Sequence, residues 1–449
     1  MSHSEHARQW VHMGSAAFAL LLRVLTWWQA AACAAFALAF NAVALPRIGG
    51  RRLYRPSDVA RGFPLGILLY PLSVLLLILI LPTRLDIVAA AWGILALGDG
   101  MATIAGQKSK QNGAPFFGEP LPWNADKTVG GSIAFVVFGS VAGVALALWT
   151  RSSITPAPPL AFSLAAPIVA AITAAFVETI PVQLDDNISV PFAAAAVLWS
   201  IALMSRDVWI ASKADVLRTL PWAVPFNAVV AWLGYRARTV SISGAVGGAI
   251  VGIVIYAAGG RAAWVFLFIA FLVATVTSRL GLKRKMLLGI AEQRGGRRGA
   301  GNAFANCGIA AIAAVCAVTT PYASASMLAL TAALAAGGSD TVASEIGKAW
   351  GKSTFLVTTF RRVKPGTPGA MSLEGTAAGV VAALALAALA VALGLIPSAA
   401  ILPVAIASTV GALVESALGA TLEPASILNN DMLNFINTAV AAAVAIAIA

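Results

Sequence analysis

Apolar runs of about twenty residues, enough to cross the hydrocarbon of a bilayer, recur from residue 17 to residue 449, and they exclude an ordinary soluble fold. Charged residues make up 11% of the chain, against roughly 25% in soluble domains, and 59% of residues are hydrophobic. Inside hydrocarbon every backbone N–H and C=O must be paired within the protein, which favours helices. The runs are too long for single strands and lack two-residue alternation. The expected fold is an all-α polytopic membrane protein with about twelve to fourteen transmembrane helices, several of them short or interrupted by proline.

The net charge of +12 does not imply a nucleic-acid partner. Lys and Arg gather in short loops between apolar runs, where they set orientation in the bilayer. Three such stretches, Arg47 to Arg61, Arg279 to Arg298 and Lys348 to Lys364, are expected to face the cytoplasm. Cys33, Cys307 and Cys316 are odd in number and lie in apolar runs, so no disulfide framework is expected. The N-terminal region lacks a short apolar segment followed by a small-residue cleavage site, so its first span reads as permanent. Gly244, Gly247, Gly248 and Gly252 repeat at helical spacing, an arrangement that lets membrane helices approach closely. Composition changes near Pro221 to Pro225, which divides the chain into halves 1–225 and 226–449, each with roughly six or seven spans.

The two halves carry related polar words in the same order. The first has Gly98-Asp99-Gly100, then Lys127-Thr128-Val129-Gly130-Gly131-Ser132, then Glu178, then Asp185-Asp186-Asn187. The second has Ser339-Asp340-Thr341, then Gly369 to Gly375 with Ser372, then Glu415, then Asn429-Asn430-Asp431. Asp99 and Ser132 are 33 residues apart, and Asp340 and Ser372 are 32 apart, which pairs the two serines. Two related sites are therefore expected, one in each half.

Carboxylates at membrane depth cost several kcal/mol unless paired, metal-bound or wet, so they are functional candidates. Carboxylate and carboxamide oxygens without nearby His or Cys suit a hard divalent cation, and with phosphate ligands that means Mg²⁺. The metal candidates are Glu178, Asp185, Asp186 and Asn187 in the first half. Those of the second are Glu345, Glu415, Asn429, Asn430 and Asp431. His3, His6 and His12 lie near the N-terminus, away from these words, which leaves Asp99 and Asp340 as candidate general bases. The elements Thr128, Gly130, Gly131, Ser132 and Gly366, Thr367, Ser372 can present N–H groups to phosphate at a helix start, with Lys127 and Lys364 nearby as counter-charges. Arg294, Arg297, Arg298 and Asn302 lie on a Gly-rich stretch suited to a phosphorylated substrate. Gly347 to Ser353 ends like a Walker A loop, but three residues separate its glycines where that loop has four, and no strand precedes it.

These words carry two resemblances. Gly98-Asp99-Gly100, Pro122 to Ala134, Glu178-Thr179 and Asp185 to Pro191 resemble the membrane kinases of polyisoprenoid alcohols, the phytol and dolichol kinase group. Gly289 to Asn306, Ser339 to Gly347, Lys364 to Thr367, Ser372 to Thr376, Glu415 to Thr421 and Asn429 to Asp431 are similar to the transmembrane protein 19 family and the phytyl-phosphate kinases of tocopherol synthesis. Two positions depart from the second pattern, which favours Asp where Glu415 stands and Gly where Ala370 stands. The resemblance implies CTP as phosphoryl donor, and prenyl alcohol and prenyl phosphate as lipid substrates of the two halves in turn. The expectation is a bifunctional isoprenoid salvage kinase in the lipid bilayer with both sites on the cytoplasmic side. Polar residues at broken helices in two repeats also fit a transporter of an anionic lipid or metabolite. A cytidylyltransferase, which would release pyrophosphate, is the other alternative.

Overall fold

The protein is described by a computed structural model over residues 3–48, 58, 63–180, 184–287, 289, 297–425 and 427–449. Arg51, Arg52, Arg55, Arg61 and Arg294 lie outside these described residues. Among the described residues, ten helices are long and apolar enough to cross a membrane, and two shorter apolar ones cover Leu65–Ile80 and Asp186–Ala202. The all-α expectation holds. Its additions are a two-stranded ribbon, Pro120–Leu121 with Asn124–Thr128, and a three-stranded one built from Thr354–Leu356, Arg362–Val363 and Ala370–Ser372.

The chain forms two compact units, Met1–Leu203 and Met204–Ala449. The helix Arg206–Arg236 belongs to the second and runs through Pro221 and Pro225, the composition break expected from sequence. Proline is tolerated inside membrane helices where neighbouring groups re-satisfy the freed carbonyls.

Each unit is built around one buried helix. In the first it is Leu85–Gln111, whose residues 85–91 and 93–96 are buried. In the second it is Ala323–Trp350, buried without a break from Leu328 to Ser339. Alanine dominates both cores, which lets helices pack closely where larger side chains would hold them apart. Three further helices follow each central one and close a ring. Val129–Thr150 packs on helix 85–111, Leu160–Glu178 on helix 129–150, and Asp186–Ala202 returns to residues 85–93. Leu373–Ala392, Ile401–Thr421 and Asn430–Ile448 repeat that circuit around helix 323–350.

The joint between the first two members of each ring fixes the true register of the repeat. Thr128 caps helix 129–150 by accepting from the Gly131 N–H at 3.1 Å, and Ser372 caps helix 373–392 by accepting from the Gly375 N–H at 3.1 Å. Each hydroxyl also sits over a glycine of the central helix. A Cβ placed on Gly106 would lie 3.0 Å from Thr128 Oγ1, and one on Gly347 3.0 Å from Ser372 Oγ. Gly106 and Gly347 each follow their Asp, 99 or 340, by seven residues. Thr128 is thus the counterpart of Ser372, and the pairing of Ser132 with Ser372 is corrected. Spacing alone matched serine to serine, whereas the cap requires a hydroxyl of either residue type one position before the helix. The central helices differ in one respect: Asp99 closes a π turn over Ile94–Asp99, while Asp340 lies in regular α-helix. Single π turns re-aim side chains and concentrate at functional positions.

Close approach at this joint should be sensitive to a single methyl group. A Cβ on Gly375 would lie 2.5 Å from the Ala343 carbonyl oxygen, whereas one on Gly248 meets nothing within 4 Å. Gly375→Ala should therefore destabilise the protein by about 1–3 kcal/mol, as overpacking does, while Gly248→Ala leaves it unchanged. Thermal unfolding in detergent checks this, and equal midpoints for the two variants would contradict it.

Candidate active sites

The first unit gathers Asp99, Lys127, Glu178, Asp185, Asp186 and Asn187 around one polar cavity. The short ribbon brings Lys127 there. Trp123 Nε1 donates to Thr179 Oγ1 at 3.1 Å and Asn124 Nδ2 donates to the Thr179 carbonyl at 3.0 Å, tying the ribbon to the end of helix 160–178. Lys127 consequently pairs with buried Glu178 and lies 3.3 Å from Asp186 Oδ2. Burial disfavours the Lys127 cation, but the Asp186 and Glu178 carboxylates outweigh it and hold the ammonium above its ordinary pKa. Oxygens of Asp99, Glu178 and Asp186 lie within 4.8 Å of one another, a hard-donor cluster of the size a divalent cation requires. Asp185 caps helix 186–202 through the Asn187 N–H at 3.0 Å.

His12 also reaches this cavity. Its Nε2 lies 3.7 Å from Asp99 Oδ2, and its ring meets Tyr70 edge-on with centroids 4.6 Å apart. Tyr70 in turn accepts from Trp92 Nε1 at 2.7 Å. The expectation that the N-terminal histidines stand apart from the chemistry is therefore corrected for His12. Nothing local in the sequence signals it, because the contact joins residues 87 positions apart.

The glycine-rich start of helix 129–150 does not have the donors expected of a phosphate cradle. The Val129, Gly130 and Gly131 N–H groups are taken by the Glu119 carbonyl, the Phe117 carbonyl and Thr128 Oγ1. Thr128, Gly130, Gly131 and Ser132 are absent from the cavity lining, and Ser132 donates to the Thr128 carbonyl at 3.2 Å. Their role here is to build the joint that positions Lys127 one residue earlier.

In the second unit Asp340, Lys348, Ser372, Glu415, Asn430 and Asn434 line a polar cavity closed by the loop Gly366 to Gly369. Gly366 and Gly369 have φ of 85° and 70°, and a Cβ on Gly369 would collide with the Ser416 and Ala420 backbone, so glycine is required where this loop crosses helix 401–421. Thr367 donates to the Lys364 carbonyl at 2.7 Å and caps the turn. Lys364 itself is exposed and does not line the cavity; the lysine that does is Lys348. In the sequence Lys348 stands inside the incomplete Walker pattern. Its position, one helical turn beyond Ser344 and two beyond Asp340 and Thr341, was the missed signal. Burial pushes the Glu423 carboxyl, at the edge of the same cavity, above its ordinary value against the pull of Lys348.

Glu345 has a different part from the one expected. It is buried in an ion pair with Lys285 and also accepts from Lys348 at 3.0 Å, and it does not line the cavity. Lys285 was not anticipated either; it additionally donates to the Ser278 carbonyl at 2.7 Å. Asn429 caps helix 430–448 by accepting from the Met432 N–H at 2.9 Å, and Asp431 lies against Gly301, so neither lines the cavity. Arg298 and Asn302 do line it, together with Asn306, whereas Arg297 is exposed.

Residues 225–442, which include Asp340, Lys348, Ser372 and Glu415, match the family described as Integral membrane protein DUF92. The uncharacterized membrane protein sll0875 of Synechocystis sp. is 41% identical over 202 residues, covering 44% of this chain and 78% of that protein. The chain belongs to the DUF92 family of integral membrane proteins. This DUF92 protein is also 37% identical to Protein VTE6, chloroplastic, of Arabidopsis thaliana over 215 residues, which cover 46% of the chain and 64% of VTE6. It is 37% identical to the Probable phytol kinase 2, chloroplastic, of Oryza sativa over 101 residues, 22% of the chain and 30% of that kinase. The chain thus spans less than two thirds of either plant relative. No solved structure matches it.

The Lys285–Glu345 pair is the most completely buried charge pair among the described residues, with side chains 2% and 3% exposed. Lys285→Met should lower stability by about 1–3 kcal/mol by leaving Lys348 as the remaining cation on Glu345, and adding Glu345→Gln should recover part of the loss. Unfolding midpoints of the two single variants and the double variant check this, and purely additive losses would contradict it.

Proposed function

We propose that this protein is an integral-membrane isoprenoid kinase with two sites facing the cytoplasm. The first unit phosphorylates a prenyl alcohol, and the second converts the prenyl monophosphate to the diphosphate. The observation that carries the reading is the recurrence, behind the same capped joint, of an Asp-centred cavity holding a lysine and further carboxylates. A transporter has no evident use for two such clusters. The plant phytol kinase among the chain's relatives supports a prenyl alcohol as acceptor. The kinase motifs resembled in each half support CTP as donor. The basic residues Lys108 and Lys110, and Lys352, Arg361 and Arg362, flank the two sites in sequence and support a cytoplasmic orientation.

Mg²⁺ fits the donor sets. In the first site Asp99, Glu178 and Asp186 would hold it, and in the second Asp340 and Glu415, whose buried Oε2 has no hydrogen-bond partner among the described residues. Bound there, the ion would neutralise charge on the nucleotide phosphates. In the first reaction the alcohol oxygen bonds to the γ-phosphorus while the bond to the β-phosphate oxygen breaks, releasing CDP. Asp99, with His12 3.7 Å away, accepts the hydroxyl proton. Lys127 offsets the developing phosphate charge from its anchored place on Glu178. In the second reaction the acceptor is already an anionic phosphate oxygen, so no base is required. Asp340 then serves to position the acceptor and hold the ion, with Lys348 as the counter-charge.

Asp99→Asn should lower alcohol phosphorylation by about 10²- to 10⁴-fold, as loss of a general base does, and leave prenyl-phosphate phosphorylation intact; Asp340→Asn should lower prenyl-phosphate phosphorylation by loosening the hold on ion and acceptor, and leave alcohol phosphorylation intact. Separate assays with geranylgeraniol and geranylgeranyl phosphate, each with CTP and Mg²⁺, distinguish the steps. Loss of both activities in either still-folded variant would overturn the two-site reading.

A further inference from the structure

The polar cavity of the second unit does not end at its own walls. It shares Arg298, Asn302, Asn306 and Thr341 with a second cavity, and the character of the space changes across these residues. Beyond them the lining is almost wholly carbon, with Leu267, Phe268, Phe271 and Leu334 among its walls. Arg298 stands at the junction. Its Nη2 donates to Ser278 Oγ at 3.3 Å, its guanidinium lies 5.9 Å from the Phe271 ring centre, and its backbone is clamped between Thr239 and Ser241.

Trp264 and Asn227 both line the apolar space and are joined by a buried hydrogen bond, Trp264 Nε1 to Asn227 Oδ1 at 2.8 Å, which packs against Gly252. Trp264 and Ala274, which both line the space, lie ten residues apart on one helix, so the space runs about 15 Å along that helix at 1.5 Å per residue. The glycine stripe of helix 242–254 has two functions. Gly244, Gly247 and Gly252 allow close approach, as expected, because a Cβ on each would meet Arg298, Ala300 or Asn227. Gly248 departs from that expectation: its Cβ would meet nothing within 4 Å, and it lines the apolar cavity.

We propose that this apolar cavity is a binding chamber for the hydrocarbon chain of a single-chain lipid phosphate, whose head group sits at Arg298, Asn302 and Asn306, next to Asp340. A cation and two carboxamides at the mouth of a carbon-lined space complement an anionic head on an apolar tail. The proposal takes only the phosphate head from the kinase reading; the chamber and its polarity stand on geometry.

Binding to the full-length protein, without nucleotide, tests the chamber apart from the chemistry. Wild-type protein should bind geranylgeranyl phosphate more tightly than geranylgeraniol. A photoreactive geranylgeranyl phosphate should label the segments 242–254 or 264–271. Gly248→Leu and Ala245→Leu, which place side chains into the space, should weaken geranylgeranyl phosphate at least tenfold and leave isopentenyl phosphate unchanged. Arg298→Gln should remove the preference for phosphate over alcohol. Unchanged affinity in both filled variants, or equal competition by bilayer phosphatidylcholine, would overturn the proposal. The expected binding pattern in a protein that turns over no nucleotide would uphold the chamber and sink the kinase reading.

Discussion

Carboxylates carried on membrane-crossing helices are the constraint around which both units are organised. Leaving such a group in hydrocarbon is unfavourable by several kcal/mol, so the fold must supply a cation or a polar cavity. It supplies both. Lys127 reaches Glu178 and Asp186 from a two-stranded ribbon, and in the second unit Lys285 and Lys348 close on Glu345. The division between structural and reactive charge follows from this arrangement. Glu345 is consumed by its two lysines in a buried pair, while Asp340 and Glu415 face the cavity.

The ribbons have a mechanical reason to exist in a helical membrane protein. A polar segment placed between two apolar helices is free to wander unless its ends are fixed. Here the last strand residue, Thr128 or Ser372, is also the cap of the following helix, and its hydroxyl rests on a glycine of the central one. Gly106 and Gly347 permit that contact, and each lies seven residues, about two turns, beyond its Asp. The distance from carboxylate to ribbon is therefore held in the same way in both units, although the loops between them differ in length and strand number.

Much of this was legible in the sequence. Long apolar runs fix helices, and the order of polar words in two halves marks Asp99, Lys127, Glu178 and Asp186, which the fold brings together. What escaped depends on chain closure. His12 meets Asp99, and Lys285 meets Glu345, across separations that no local pattern records. The register of the repeat was misread because Ser132 and Ser372 share an identity while Thr128 and Ser372 share a function. The donors of Gly130 and Gly131 looked available because their partners, carbonyls of a preceding turn at Phe117 and Glu119, have no residue preference to betray them. Gly248 resembles its neighbours in the stripe, and only the contacts of Gly244 with Arg298, Gly247 with Ala300 and Gly252 with Asn227 separate packing glycines from the one that opens on a cavity.

The central claim is that two equivalent sites act in series on one lipid. Its most direct test is to incubate the detergent-purified protein with geranylgeraniol, CTP and Mg²⁺, and to follow nucleotide and lipid products by mass spectrometry over time. The account requires CDP, with the monophosphate appearing first and the diphosphate accumulating after it. Pyrophosphate with a cytidyl-lipid, or no turnover of CTP with either the alcohol or its monophosphate, would contradict it.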